Sequence, residues 1–295
     1  MYDLIIIGAG PAGCSAGIYS SRYKLKSLML YADFGQISYG YEVHNYPGIE
    51  SISGAELAQR MLKQAIKAGV EAKNEEAIKA VKNKNSFLVI TKAGKTYESK
   101  SLILATGLKH KKLNVKGEEQ YTGKGVSYCV TCDGPLFAEK EVVVVGASNS
   151  AVKAALMLKD YAKKVTILCR SQPSAEPASM DLIKKSKNIT IKSGEVKEIR
   201  GERFVNKIIL DSGNEIKAEG VFIEIGLEPS VELAKQLKAK LDKGNIKADS
   251  EQKTNIKGLF AAGNITNRTR LKQIITAASE GAIAAEAVYK YLQVK

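Results

Sequence analysis

The chain has 295 residues, 45 Lys+Arg against 31 Asp+Glu, and four cysteines. That length suits two domains, each able to bury a core without disulfide staples, and one C-x-x-C pair is too little for a secreted disulfide scaffold. The net charge of +14 comes without the clustered arginines and aromatics of a base-reading surface, and no apolar run is long enough to span a membrane. Nucleic acid and membrane are therefore set aside as partners. With no leader ahead of the first strand, a cytoplasmic location is expected.

In chain order, Leu4-Ile5-Ile6-Ile7 runs straight into Gly8-Ala9-Gly10-Pro11-Ala12-Gly13. A strand apolar on every residue is buried on both faces, as in a parallel sheet. Gly8 permits the tight turn, Gly10 lets backbone approach a pyrophosphate, and Gly13 allows close helix–strand packing. The N-terminus of the following helix favours the anion. A second strand, 27–31, ends at Tyr31, where such units often carry an acid for the ribose; Asp33 stands two residues on. Residues 54–69 predict an amphipathic helix with Leu57, Met61, Ala65 and Ile66 on its apolar side. Short strands follow near 87–90 and 102–105.

A polar, Lys-rich stretch at 110–118 reads as a crossover. Val142-Val143-Val144-Val145 then repeats the opening pattern, running into Gly146-Ala147-Ser148-Asn149-Ser150-Ala151, with a further strand at 165–169. A third apolar run, 258–263, precedes an Ala-rich helix over 273–291. It has the character of the end of the first domain, which places a return crossover at 243–250. The expected fold class is α/β, with two Rossmann-like, three-layer nucleotide-binding domains, the second inserted into the first. Residues 1–112 and 248–295 would form the outer domain and 113–247 the inserted one.

Cys129-Val130-Thr131-Cys132 has the spacing of a redox dithiol. A zinc site needs further ligands, and there is no second C-x-x-C, while His44 and His110 stand alone. Two thiols so spaced can close a small ring at a helix start, where the helix end lowers a thiolate pKa. Cys14 and Cys169 have no partner at short spacing and read as packed, inert thiols.

Together, 8–13, Cys129-Val-Thr-Cys132-Asp133-Gly134, 258–263, 43–48, Ala105-Thr106-Gly107 and 220–226 resemble the low-molecular-weight thioredoxin reductase family over essentially the whole chain. The resemblance implies an FAD-dependent thioredoxin-disulfide reductase, homodimeric, with a thioredoxin or glutaredoxin-like protein as substrate. It gives FAD to the 8–13 turn (Gly8, Ala9, Gly10, Pro11, Ala12 and Gly13) and to Tyr31, Gln36, Asn45, Thr106, Gly107, Gly263, Asn264, Lys272, Gln273 and Ile274. Asn264 stands where the family has an Asp that binds the ribityl chain. The resemblance makes Cys132 the flavin-proximal thiol, Cys129 the thiol that attacks the substrate, and Asp133 the general acid; a helix N-terminal charge partner is the alternative for Asp133. It also implies rotation about the two linkers.

The second turn departs from the family's NADPH pattern. Ser148 replaces the glycine that lets backbone approach a pyrophosphate. Of the His-Arg-Arg-x-x-x-Arg set after the next strand only Arg170 survives. A vestigial NAD(P)H site would comprise Gly146, Ser148, Asn149, Ser150, Ala151 and Arg170. NADPH therefore stands against ferredoxin or a deazaflavin as the donor, and a net charge of +14 suits an acidic ferredoxin. A ferredoxin–NADP reductase-like enzyme or a degenerate FAD-binding protein are the competing readings; the intact Cys-x-x-Cys-Asp opposes both.

Overall fold

A computed structural model describes residues 1–39 and 43–293, with Tyr39 as backbone only. The chain forms two compact units, Met1–Lys109 with Glu228–Lys295, and His110–Leu227.

The first unit opens with β1 (Tyr2–Ile7), α1 (Pro11–Arg22), β2 (Ser27–Tyr31), α2 (Gly54–Ala68), β3 (Glu71–Asn74), β4 (Ala77–Lys82), β5 (Phe87–Thr91) and β6 (Thr96–Leu104). The chain leaves it within β7 (Leu108–His110). The second unit contains α3 (Glu118–Tyr121), β8 (Val126–Ser127), α4 (Val130–Asp133), β9 (Glu141–Val145), α5 (Asn149–Leu158), β10 (Lys164–Cys169), α6 (Pro177–Lys185) and β11 (Ile189–Ser193). It continues with β12 (Val196–Gly201), β13 (Val205–Leu210), β14 (Glu215–Lys217) and β15 (Gly220–Ile223). The chain returns within β16 (Leu227–Pro229), then adds α7 (Glu232–Gln236), β17 (Leu241–Asp242), β18 (Asn245–Ile246), β19 (Leu259–Ala261) and α8 (Ile274–Gln293).

In the first unit the order β3-β2-β1-β6 is parallel, β19 joins β6 in parallel, and β5 and β4 extend the sheet antiparallel. Leu4, Ile5 and Ile6 are fully buried, because both faces of the sheet are covered. One face packs Leu4, Ile6 and Met29 on α1 and α8; the other packs Ile5, Leu28 and Leu30 with Val231, Leu233 and Ile246. Gly281 lets α8 lie against α1, since a Cβ there would stand 2.0 Å from the Ala12 carbonyl oxygen.

The second unit repeats the plan with an all-parallel sheet, β11-β10-β9-β15-β8, and an antiparallel β12-β13-β14 meander. Val142 and Val144 face α5, and Val143 and Val145 face the meander. This is the mixed α/β, Rossmann-type, two-domain architecture expected from the repeated strand–Gly–helix pattern.

Two local expectations need correction. The return crossing falls at 227/228, ahead of the 243–250 stretch. Residues 231–246 look polar, yet Val231, Leu233, Ala234, Leu237, Ala239 and Ile246 bury against the first unit's sheet. In α2 the buried side is Leu57, Ala58, Leu62 and Ala65, whereas Ile66 is exposed. The helix is rotated by about one position from the predicted stripe, and Ser53 caps it by accepting from the Glu56 N–H.

Candidate active site: a glycine-floored cavity and a disulfide

Gly8 ends β1 with φ +113°, and a Cβ there would lie 2.3 Å from the Ala105 carbonyl oxygen, so only glycine passes this point. Gly13, on the inner side of α1, would place a Cβ 1.9 Å from the Gly8 carbonyl oxygen. Gly10 is different. It precedes α1 in extended conformation, and nothing lies within 4 Å of where its Cβ would be. Pro11 opens the helix without an N–H to satisfy. The helix has no side-chain cap and no acid in its first turn. Its free N–H groups and the positive end of its dipole therefore meet open space, a ready anion site.

That space is a cavity of about 860 Å³ formed within the first unit. Its lining includes Gly8, Ala9, Gly10, Pro11, Ala12, Tyr31, Gln36, Asn45, Thr106, Gly107, Gly263, Asn264, Lys272, Gln273 and Ile274. Of the sequence-predicted cofactor residues, Gly13 alone is outside the lining; it packs beneath the turn. Asp33 also lines the cavity, beyond Tyr31, with its Oδ1 accepting from Gly35 N at 2.7 Å.

The polar groups around the cavity are held from behind. Asn45 Nδ2 donates to Gln273 Oε1 at 3.0 Å, and Thr106 Oγ1 donates to the Ser230 carbonyl at 2.8 Å. Lys109 pairs with Glu228 and Glu232. Lys272 Nζ donates to the Thr266 carbonyl at 2.6 Å, and burial pushes its pKa down, with Glu280 opposing the shift. The buried Glu280 carboxylate accepts from Gly263 N and from Thr266 Oγ1, each at 2.8 Å, and so pins the turn that carries Asn264. The sequence reading missed Glu280; its signal was an acid set between Ser279 and Gly281 in an Ala-rich helix. Asn264 Oδ1 is buried with no hydrogen-bond partner. A buried acceptor left unmade costs roughly 1–3 kcal/mol, so it marks a place for a ligand donor. An uncapped helix end, open space at Gly10 and an orphaned acceptor on one cavity wall fit a dinucleotide such as FAD.

The second feature lies in the other unit. β8 leads to Cys129, which caps the single turn of α4, and Cys129 is disulfide-bonded to Cys132. Cys132 N donates to Cys129 Sγ at 3.1 Å. The two sulfurs differ in access: Cys129 is 9% exposed and buried, whereas Cys132 is exposed. Asp133 is half-buried directly behind them, and the Ser127 hydroxyl donates to its Oδ2 at 2.6 Å while accepting from Cys129 N at 3.0 Å. Ser127 was not predicted; nothing in a Val-Ser-Tyr sequence distinguishes it from any strand-end serine. The residue before the disulfide, Tyr128, donates to Glu118 at 2.6 Å, and burial with that bond raises its pKa.

Cys14 is buried in α1, its Sγ donating to the Ala9 carbonyl, and burial pushes the thiol up to about 12. Cys169 is likewise buried and its pKa raised. Among the described residues no His, Cys, Asp and Glu group could hold a metal ion.

The second glycine turn is engaged with its own chain. Gly146 needs to be glycine, since a Cβ would stand 2.2 Å from the Glu224 carbonyl oxygen. Ser148 is exposed, its Oγ 2.9 Å from Ser150 Oγ. The loop after β10 folds back on the turn: Ser174 N donates to the Ala147 carbonyl at 2.7 Å, and Glu176 N donates to Asn149 Oδ1 at 2.8 Å. Arg170 Nε pairs with Glu195 at 2.8 Å. Ala151 is fully buried in α5. Glu224, its pKa raised by burial and opposed by a hydrogen bond from Ser150, sets a carboxyl beside the turn.

Comparison with known proteins agrees with this geometry. Residues 2–281 match the pyridine nucleotide-disulphide oxidoreductase family. A thioredoxin reductase of Listeria monocytogenes is 39% identical over 306 residues, covering 99% of this chain and 94% of its own. The crystal structure of Lactococcus lactis thioredoxin reductase superposes with a TM-score of 0.86 at 34% identity, covering all of both chains. A ferredoxin-flavin thioredoxin reductase from Clostridium acetobutylicum is 29% identical with a TM-score of 0.56, covering 100% of this chain and 99% of that one.

Proposed function

Because this chain belongs to the pyridine nucleotide-disulphide oxidoreductases, among their low-molecular-weight thioredoxin reductases, we propose that it is a homodimeric cytoplasmic flavoenzyme reducing a thioredoxin-like protein. The observation that carries the reading is a reducible disulfide at a helix start on the same chain as a cavity floored by a glycine turn and an uncapped helix N-terminus. Among the described residues no helix is long and apolar enough to cross a membrane.

FAD would be held by the 8–13 turn and the α1 N-terminus at its diphosphate, with Asn264, Thr106, Gly107, Asn45, Gln273 and Ile274 around the rest. When bound it supplies the electron pair that, with two protons, opens the Cys129–Cys132 disulfide. Everything after that belongs to side chains of the second unit. The resemblance gives the attack on substrate to Cys129, but the exposures favour Cys132. The Cys132 thiolate attacks the substrate disulfide, forms a mixed disulfide and releases one substrate sulfur. The Cys129 thiolate, steadied by the Cys132 N–H, then attacks Cys132 Sγ, frees the second substrate sulfur and restores the Cys129–Cys132 bond. Asp133 protonates a departing sulfur.

Ser127 holds that carboxyl in place. Ser127→Ala is expected to lower kcat roughly tenfold, the scale of one hydrogen bond of about 1.5 kcal/mol, with little change in KM for the substrate. Ser127→Thr, which keeps the hydroxyl, restores it. A Ser127→Ala enzyme with wild-type kcat would remove Ser127 from the mechanism.

For the electron donor we propose reduced ferredoxin in place of NADPH or a deazaflavin. In support, Arg170 and Asn149 are already engaged by Glu195 and by the Glu176 N–H. A half-buried carboxyl, Glu224, adjoins the turn where a pyrophosphate would lie, and the chain is strongly basic. The test is anaerobic bleaching of the bound flavin. Reduced ferredoxin is expected to bleach it within seconds, and NADPH and NADH are expected to leave it yellow. Rapid bleaching by NADPH would overturn the donor assignment and leave the reductase reading intact.

A further inference from the structure

The first unit carries 26 Lys+Arg against 16 Asp+Glu, and the second 19 against 15. Much of the excess sits on one surface. Gln236 of α7 closes the open edge of β4, accepting from Ala80 N and donating to the Ile78 carbonyl, both at 3.0 Å. This brings Lys79 on β4 next to Lys235 and Lys238 at the end of α7. The run continues through Asn255, which donates to the Lys238 carbonyl and accepts from Lys240 N, and through Lys247 N, which donates to the Lys240 carbonyl. Lys243 stands at the β17–β18 turn.

All six lysines are exposed, and among the described residues none is in an ion pair. Of the acids nearby, Glu76 pairs with Lys92, Asp242 accepts from the Asn267 amide, and Glu232 pairs with Lys109 and feels Lys235 only through space. Like charges gathered in this way repel one another and add nothing to folding. An acidic partner would offset them. The position also has a consequence for chemistry, because Ile78, Leu233 and Gln236 line the cavity from the same two elements. A protein seated on the lysines would lie against the cavity wall.

We propose that this lysine face docks the electron donor, a small acidic iron–sulfur protein of the ferredoxin class. The inference rests on the donor assignment above. Two reduced carriers would each give one electron by way of the cofactor in the cavity. With two protons the pair reduces the Cys129–Cys132 disulfide, and two oxidised carriers leave.

The experiment is anaerobic stopped-flow reduction of the FAD-loaded enzyme by an acidic [4Fe–4S] ferredoxin at several salt concentrations. K79E/K238E/K240E is compared with K185E/K187E/K192E, an equal charge change on exposed lysines of the second unit. The first variant is expected to lose at least about tenfold in second-order rate and most of its salt dependence, while the second stays within about twofold of wild type. Reduction by dithionite stays the same in all three. Equal ferredoxin rates in the two variants would overturn the docking site while leaving ferredoxin as donor. Failure of ferredoxin to reduce the unmodified enzyme would overturn the donor assignment and the docking site with it. Should K79E/K238E/K240E lose FAD, the Lys→Gln set at the same positions is read by the same criteria.

Discussion

Serine at either position of the dithiol is expected to lower thioredoxin-disulfide turnover by roughly a thousandfold or more, because a nucleophile and its resolving partner act as a unit and neither works alone. The flavin should still bind and still be reduced, since the cavity is built within the first unit and the cysteines lie in the second. The two variants should differ in what they accumulate. With Cys129→Ser, exposed Cys132 can attack a substrate disulfide but nothing resolves the product, so a mixed disulfide builds up and is seen as a mass shift on a non-reducing gel. With Cys132→Ser, only the shielded Cys129 sulfur remains and little adduct forms. The opposite pattern would return the attacking role to Cys129. An unchanged turnover in either variant would support a protein that binds flavin without using its dithiol.

The second large effect separates two glycines of one turn. In Gly13→Ala the new Cβ would stand 1.9 Å from the Gly8 carbonyl oxygen, a backbone atom that cannot swing aside. Overpacking of this kind costs about 1–3 kcal/mol and must displace either the turn or α1. The variant is therefore expected to unfold at lower temperature even without cofactor, and to purify colourless. Gly10→Ala adds the same methyl group where nothing lies within 4 Å. Its apoprotein should melt like wild type, yet its affinity for FAD should fall at least about tenfold, because the methyl occupies space next to the helix N-terminus where a diphosphate would sit. Thermal melts of both apoproteins with FAD titrations check this. Full FAD affinity in Gly10→Ala would mean that the end of α1 is not the diphosphate site.

The parts legible in the sequence were those whose cause is local. Leu4 to Ile7 and Val142 to Val145 announce buried parallel strands because every residue is apolar, and glycines at 8 and 146 mark turns no side chain could make. The C-x-x-C spacing announces a dithiol by itself. Other features depend on residues brought together by the fold. Thr106 meets Ser230 only because the chain returns to the first unit, and Ala12 meets Gly281 only because α8 closes over α1. Neither pair leaves a local trace. The return crossing was misplaced because the apolar residues between Val231 and Ile246 are interrupted by Lys235, Lys238, Lys240 and Lys243, which line the outer side of the same segment. The unequal access of the two sulfurs was also invisible, since spacing makes Cys129 and Cys132 look equivalent.

The central claim is that electrons entering this protein leave through Cys129 and Cys132 to a thioredoxin-like disulfide. The most direct test is anaerobic turnover with reduced ferredoxin as the only donor, an oxidised thioredoxin as acceptor and the enzyme in catalytic amount, counting free thioredoxin thiols. The account predicts one dithiol formed for every two ferredoxins oxidised, and none with Cys132→Ser. Thioredoxin that stays oxidised while the enzyme's flavin is fully reduced would contradict it.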